Sequence, residues 1–216
     1  MSWIGQGCHT ANVRPWDNSG FSLDAAYGPV CYDIGPPVSK ATLSGTKQGS
    51  IYITPVTVNM SATDSLSGVS GIFYINSSGT HAYTGPFNVS TTGQHSFTYY
   101  STDVAGNVET GRKVNFTIES PTKTVLTSSV NPSKKGQQIS FFAVVTASFG
   151  GAASGTVQFK DGTKLLASRT LNTTTHQTRY QTSNLAVGSH NITATYLSNG
   201  HDETSVSNVV VQVVTN

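Results

Sequence analysis

The chain has 216 residues, 12 of them basic and 10 acidic, for a net charge of +2. Charged residues make up 10 % against the usual quarter, and Arg112-Lys113 and Lys134-Lys135 are the only adjacent basic pairs, so the basic stripe of a nucleic-acid binder is missing. No apolar run approaches the roughly 18 residues of a bilayer span, and 58 serines and threonines beside three glutamates (109, 119 and 203) favour strands over helices.

Residues 1–36 show no clear period, and RPWDNSG and YGPVCYDIGPP are turn signals. The segment reads either as the end of a preceding domain or as a strand pair on the next one. It holds both cysteines, Cys8 and Cys31. Two readings of them stand: a disulfide, which on the chain-entropy account stabilises by roughly 3 kcal/mol, or two unrelated thiols. The opening MSWIGQGCHT lacks a basic region followed by an apolar one and does not read as a signal peptide. The composition nevertheless has an extracellular look, so the expectation is an artificial start at Met1 or a piece of a longer protein. Six Asn-x-Ser/Thr triplets, at Asn59, Asn76, Asn88, Asn115, Asn172 and Asn191, are what a chain so rich in Ser and Thr produces by composition.

From residue 37 a period of two sets in. In PVTVNMSATD, Val56, Val58 and Met60 share one face and Thr57, Asn59 and Ser61 the other, which predicts a half-buried strand. SGVSGIFYIN, HAYTGPFNVS, GQHSFTYYSTD and RKVNFTIES follow at the spacing of a sandwich, with Phe97 and Tyr99, then Val114, Phe116 and Ile118, on single faces. ESPTK, 119–123, is a short seam. Beyond it TVLTSSVNPSKKGQQISFFAVVTAS predicts two strands around an Asn-Pro turn. GTVQFKDGTKLLASRTL predicts a hairpin with Asp161-Gly162 at its turn. HQTRYQTSNL, GSHNITATYL and SNVVVQVV complete the set. GQHSFTYY and GSHNITAT echo one another, Gly93 with Gly188, His95 with His190 and Phe97 with Ile192. The echo points to two copies of one architecture.

The later unit resembles the bacterial Ig-like repeat family (the Big_3 type) over 122–214, through TVLTSSVNPSKKGQQISF, GTVQFKDGTKLL and LAVGSHNITATYLSNG. LNTTTHQTRYQTSNL is more polar than that family's pattern suggests. The earlier unit looks like an OmpL47-type Ig-like module over 33–119, through DIGPP, SATDSLSGVSGIFYIN and YTGPFNVSTTGQHSFTYYSTDVAGNVE. Both resemblances imply β-sandwiches strung on extracellular chains, and neither implies a catalytic activity.

The chemistry to be weighed centres on STDVAGNVE, which sets Asp103, Gly106 and Asn107 within five positions, and on ATDSLSG with Asp64 and Gly68. Asp and Asn bond their own backbone and tolerate left-handed conformations, so both stretches read as strand-ending turns, with positive φ expected at Gly106 and open to Asn107. The calcium reading has only Asp64, Asp103 and Asn107 to offer an ion that takes six to eight oxygens, and Asp64 only if its loop lies alongside. The expectation is therefore a turn, with a melting temperature indifferent to calcium. Asp64 and Asp103 as an acid–base pair would need a cleft, for which the sequence gives no sign. Ser44–Lys47 and Ser120–Lys123 match S-x-x-K without the helix that signature requires, and the six histidines lack metal-ligand spacing. Tyr74, Tyr83, Tyr99 and Tyr100 read as core and rim, or else as a row able to stack on sugars.

The expectation is an all-β chain: an irregular segment 1–36, an Ig-like β-sandwich 37–119 and a bacterial Ig-like β-sandwich 121–216, folding separately. It carries no catalytic residues, cofactor or dedicated metal site. It acts as an extracellular or cell-surface spacer, stalk or adhesive segment, with glycans or other surface proteins as its partners. The alternative is a carbohydrate-binding accessory module of a larger secreted enzyme.

Overall fold

The computed structural model describes residues 6–13 and 25–216, and every regular element among them is a β-strand. The described chain gathers into two compact units, one from its described residues up to Leu43 with Val58–Phe87 and Ser96–Asn115, the other from Ser44–Thr57, Asn88–His95 and Phe116–Asn216.

In the first unit Gly7–Val13 and Ala25–Tyr32 pair antiparallel, with Cys8 opposite Cys31, so the N-terminal segment contains a strand pair. Val38–Ser44 lies beside Val56–Thr63. Along the latter the alternation is as the sequence predicts: Val58 and Met60 are buried and Asn59 and Ser61 exposed. Gly93–Asp103 pairs antiparallel with Val69–Asn76, which pairs in turn with Gly79–Ala82. The buried Phe97 meets Tyr74 edge to face at 6.4 Å, and Tyr74 stacks on Phe87 at 4.9 Å. The register slips between Thr102 and Asp103. A bulge of this kind re-aims the chain at the end of a strand.

In the second unit one sheet orders Thr122–Ser128, Ile139–Ala147 and Gln177–Thr182. The other orders Ser133–Lys134, Val210–Thr215, Gly188–Tyr196, Thr156–Asp161 and Lys164–Thr170. Leu126, Ile139, Phe141, Ala143 and Val145 from the first face Val157, Phe159, Ile192, Ala194, Tyr196 and Val214 from the second in one core. After Thr122–Ser128 the chain crosses to the other sheet, where Ser133 and Lys134 pair in parallel with Val214 and Thr215. Asn131 guides the crossing like a short piece of strand, donating from Nδ2 to the Val211 carbonyl (2.7 Å) and accepting from the Val213 amide (2.9 Å). The polar strand Gln177–Thr182 needs few apolar residues because a single face, with Thr178 buried and Tyr180 packed on the core, turns inward; Tyr180 stacks on Phe141 at 6.3 Å. In the hairpin at 161–164, Asp161 pairs with Lys164, so the central residues are Gly162 and Thr163 rather than Asp161 and Gly162. Gly162, at φ +54°, sits where a type II′ turn requires glycine. The same second unit includes Lys47–Gln48 against Ile51–Tyr52, with Tyr52 in parallel register with Ile118.

The echoed segments prove equivalent in detail. His95 Nε2 meets the carbonyl of Thr91 at 2.7 Å and His190 Nε2 that of Ala186 at 2.9 Å, four residues back in each case. Phe97 and Ile192, two residues on, are both buried.

Candidate functional site

The strand Gly93–Asp103 ends in a buried carboxylate, Asp103 being 3 % exposed. Its Oδ1 accepts the Asn107 amide at 2.7 Å and its Oδ2 the Asn107 side-chain Nδ2 at 2.8 Å. The Asp103 amide donates back to the Asn107 carbonyl at 3.1 Å. Gly106 takes φ +94°, while Asn107 stays out of the left-handed region. The turn is thus built as a side-chain cap on backbone donors.

Two further loops converge on it. Asp64 Oδ1 accepts the amides of Leu66 (3.0 Å) and Gly68 (2.8 Å), and Gly68 takes φ +84°. The Gly68 carbonyl receives the Val104 amide at 3.0 Å, which brings the Asp64 loop alongside Asp103. Asp33 Oδ1 accepts the Gly35 amide at 3.0 Å and its Oδ2 the Ser67 amide at 2.9 Å. Asn107 Nδ2 also donates to the Asp33 carbonyl at 3.2 Å. One carboxylate oxygen from each of Asp33, Asp64 and Asp103 lies within 4.8 Å of the others. Hydrogen bonding from Ser67 and from the Gly35 amide outweighs desolvation and holds the Asp33 carboxyl below its ordinary range. Sequence reading singled out Asp64, Asp103 and Asn107 and missed Asp33. The available signal was an aspartate followed within four residues by glycine, which occurs in DIG as in TDSLSG and TDVAG.

Beside this cluster Glu109, 7 % exposed, serves as an internal anchor. Both its oxygens accept the Ser39 amide at 3.0 Å, and Oε2 also accepts the hydroxyls of Ser39 and, at 2.9 Å, of Ser101. Arg112 Nε lies 3.1 Å from Oε1. Burial alone would raise the Glu109 pKa, but the Ser39 hydroxyl and amide, the Ser101 hydroxyl and Arg112 outweigh it and hold the group below its ordinary value. In the second unit His190 Nδ1 lies 2.6 Å from Asp161 Oδ2. The Ala186 carbonyl on the other ring nitrogen and the Asp161 carboxylate raise its pKa.

The remaining sequence candidates are structural. Asp103 is too deeply buried, with both oxygens bonded, to serve a substrate together with Asp64. Ser120 is fully buried and its hydroxyl accepts the Phe149 amide at 2.9 Å. Tyr99 is buried, Tyr74 stacks against both His81 and Phe87, and the Tyr83 hydroxyl donates to Asn59 Oδ1 at 2.8 Å. Tyr100 is half-buried and stacked on Phe73 at 5.4 Å, so the four tyrosines make no open row. Cys8 and Cys31 are joined by a disulfide across the N-terminal strand pair. No helix among the described residues is long and apolar enough to cross a membrane.

Two sheets closed over one core, with the chain crossing between them near its start, define an Ig-like β-sandwich for the second unit. Residues 126–215 match the family described as bacterial Ig-like domain (group 3). No curated protein matches the chain. Among solved structures it is similar to the N-terminal four Ig domains of Dscam1 isoform 6.9, at 9 % identity and TM-score 0.45 over 91 % of this chain and 52 % of that one. It is also similar to the fibronectin(III)-like modules of Clostridium thermocellum CbhA, at 10 % identity and TM-score 0.33 over 81 % of this chain and 95 % of that one. A third is the D00–D0 domain of intimin, at 12 % identity and TM-score 0.31 over 82 % of this chain and 100 % of that one. In another Dscam structure, compared for isoform specificity, the chain spans 46 % of the length.

Proposed function

We propose that the chain is a non-catalytic tandem Ig-like module of a bacterial surface or secreted protein, serving as a spacer or stalk. In this reading residues 37–119 and 121–216 are successive domains of a longer extracellular chain, the earlier one of OmpL47 type. The observation that carries it is the use made of buried polar groups. Ser39, Ser101, Asp103 and Glu109 all bond to their own chain, so the groups able to do acid–base or nucleophilic work serve as internal ties. The match of 126–215 to a bacterial Ig-like family supports the same reading. Sugar binding is not favoured, since Tyr74 and Tyr99 are taken up by packing.

The test is a glycan array together with turnover assays on glycan, ester and peptide substrates. The expected result is neither binding nor turnover. Glycan binding that disappears in Tyr100→Ala would move the reading to a carbohydrate-binding module. Turnover that disappears in Asp64→Ala or Asp103→Ala would overturn it.

A further inference from the structure

We infer that Asp33, Asp64 and Asp103 hold a calcium ion between three loops of the first unit. Oxygens bound to calcium lie at about 2.3–2.6 Å, so two ligands on opposite sides of the ion stand roughly 5 Å apart. Three carboxylate oxygens mutually within 4.8 Å fit inside one such shell.

The second observation is two atoms left without partners. Asp64 Oδ1 is bonded twice to backbone amides, while Asp64 Oδ2 and, in the same loop, the Ser67 hydroxyl are inaccessible to solvent and have no hydrogen-bond partner. A buried acceptor left unmade destabilises the fold, more so when it is charged. Among the described residues no lysine or arginine pairs with any of the three aspartates. The carboxylates cannot relieve their mutual repulsion by swinging outward either. Asp33 is held by the amides of Gly35 and Ser67, Asp64 by those of Leu66 and Gly68, and Asp103 by Asn107. A cation answers both the repulsion and the orphaned oxygen.

The donors are all hard oxygens, without His or Cys, which selects calcium or magnesium over zinc. Three ligands from three separate turns favour calcium, which accepts six to eight oxygens in irregular geometry, whereas magnesium demands a near-ideal octahedron. Water and loop carbonyls complete the shell. Asn107 is a positioning residue, because its Nδ2 faces the Asp103 carboxylate and the Asp33 carbonyl. The sequence expectation of a calcium-indifferent turn rested on two or three side-chain oxygens, and Asp33 supplies the missing carboxylate. This inference does not depend on the spacer reading.

The experiment uses the full chain, melted in calcium chloride, magnesium chloride or chelator, with calorimetric titration of calcium alone. The expected result is one calcium bound with a dissociation constant roughly in the 10⁻⁴–10⁻³ M range of extracellular modules. The melting temperature should rise by several degrees in millimolar calcium and far less in magnesium. Asp33→Asn and Asp64→Asn should match the wild-type strand spectrum in chelator and lose both the heat and the rise. Asp33→Asn leaves the doubly bonded Asp64 turn in place, so it remains informative if Asp64→Asn fails to fold. No calcium heat and no shift in the wild type, or a shift retained in Asp33→Asn, would overturn the site.

Discussion

Glu109→Gln tests whether the first unit is tied together by one buried carboxylate. The change keeps the side chain's size, removes one acceptor oxygen and the charge, and turns an NH2 toward groups that are themselves donors. The wild-type carboxylate accepts the Ser39 amide on both oxygens at 3.0 Å, the Ser39 hydroxyl and the Ser101 hydroxyl at 2.9 Å, at 7 % exposure. A hydrogen bond to a charged group contributes about 1.5–3 kcal/mol, and a buried donor left unpaired costs about 1–3 kcal/mol. Arg112, half exposed, adds no more than about 1 kcal/mol. Allowing for relaxation, the expected loss is about 2–4 kcal/mol in urea unfolding. Acid provides a second readout. Because the folded pKa of Glu109 is depressed, its contribution is fully present above the unfolded glutamate value, about 4.3, and is lost as pH falls through the lower folded value. The wild type should therefore lose stability more steeply than Glu109→Gln below about pH 4.3. A variant within about 0.5 kcal/mol of wild type, with an unchanged acid slope, would refute the anchor.

The His190 pKa is raised by the Ala186 carbonyl and the Asp161 carboxylate, so its stabilisation is complete below about pH 6.5 and lost as pH rises through the higher folded value. Urea midpoints from pH 5 to 9 should show that decline, and Asp161→Asn should flatten it. Phe159, fully buried between the sheets of the second unit, should cost about 3–5 kcal/mol on change to alanine; a loss under about 1 kcal/mol in calorimetry would mean that the site is not packed core. Alkylation followed by mass measurement, with and without reductant, should find Cys8 and Cys31 blocked until reduction. Two alkylated thiols in unreduced, oxidatively folded protein would refute the bridge.

Local pattern was legible because a strand writes its two faces into consecutive residues. Val56, Val58 and Met60 are buried as their spacing predicts, and the Gly-x-His-x-apolar echo places His95 and His190 in the same backbone bond. The turns were legible for a similar reason, since Asp103 and Gly106 act on backbone only a few residues away. The associations between loops were not. Asp33 reaches the Asp64 loop across 34 positions and Ser39 reaches Glu109 across 70, and no periodicity records such pairings. Gln212, in the valine-rich final strand, shows the same limit. It is fully buried because its side chain bonds the Val130 carbonyl at 3.0 Å and the Ser128 hydroxyl at 2.6 Å, 82 and 84 residues earlier. In the alternating runs from Val56 onward the sequence by itself determined strand and apolar face, because both depend on neighbours one or two positions apart; the strands Gly7–Val13 and Ala25–Tyr32 carry no such period. Only the tertiary structure decided which polar side chains meet, because a buried carboxylate or amide is stable only where the folded chain returns to supply its partners.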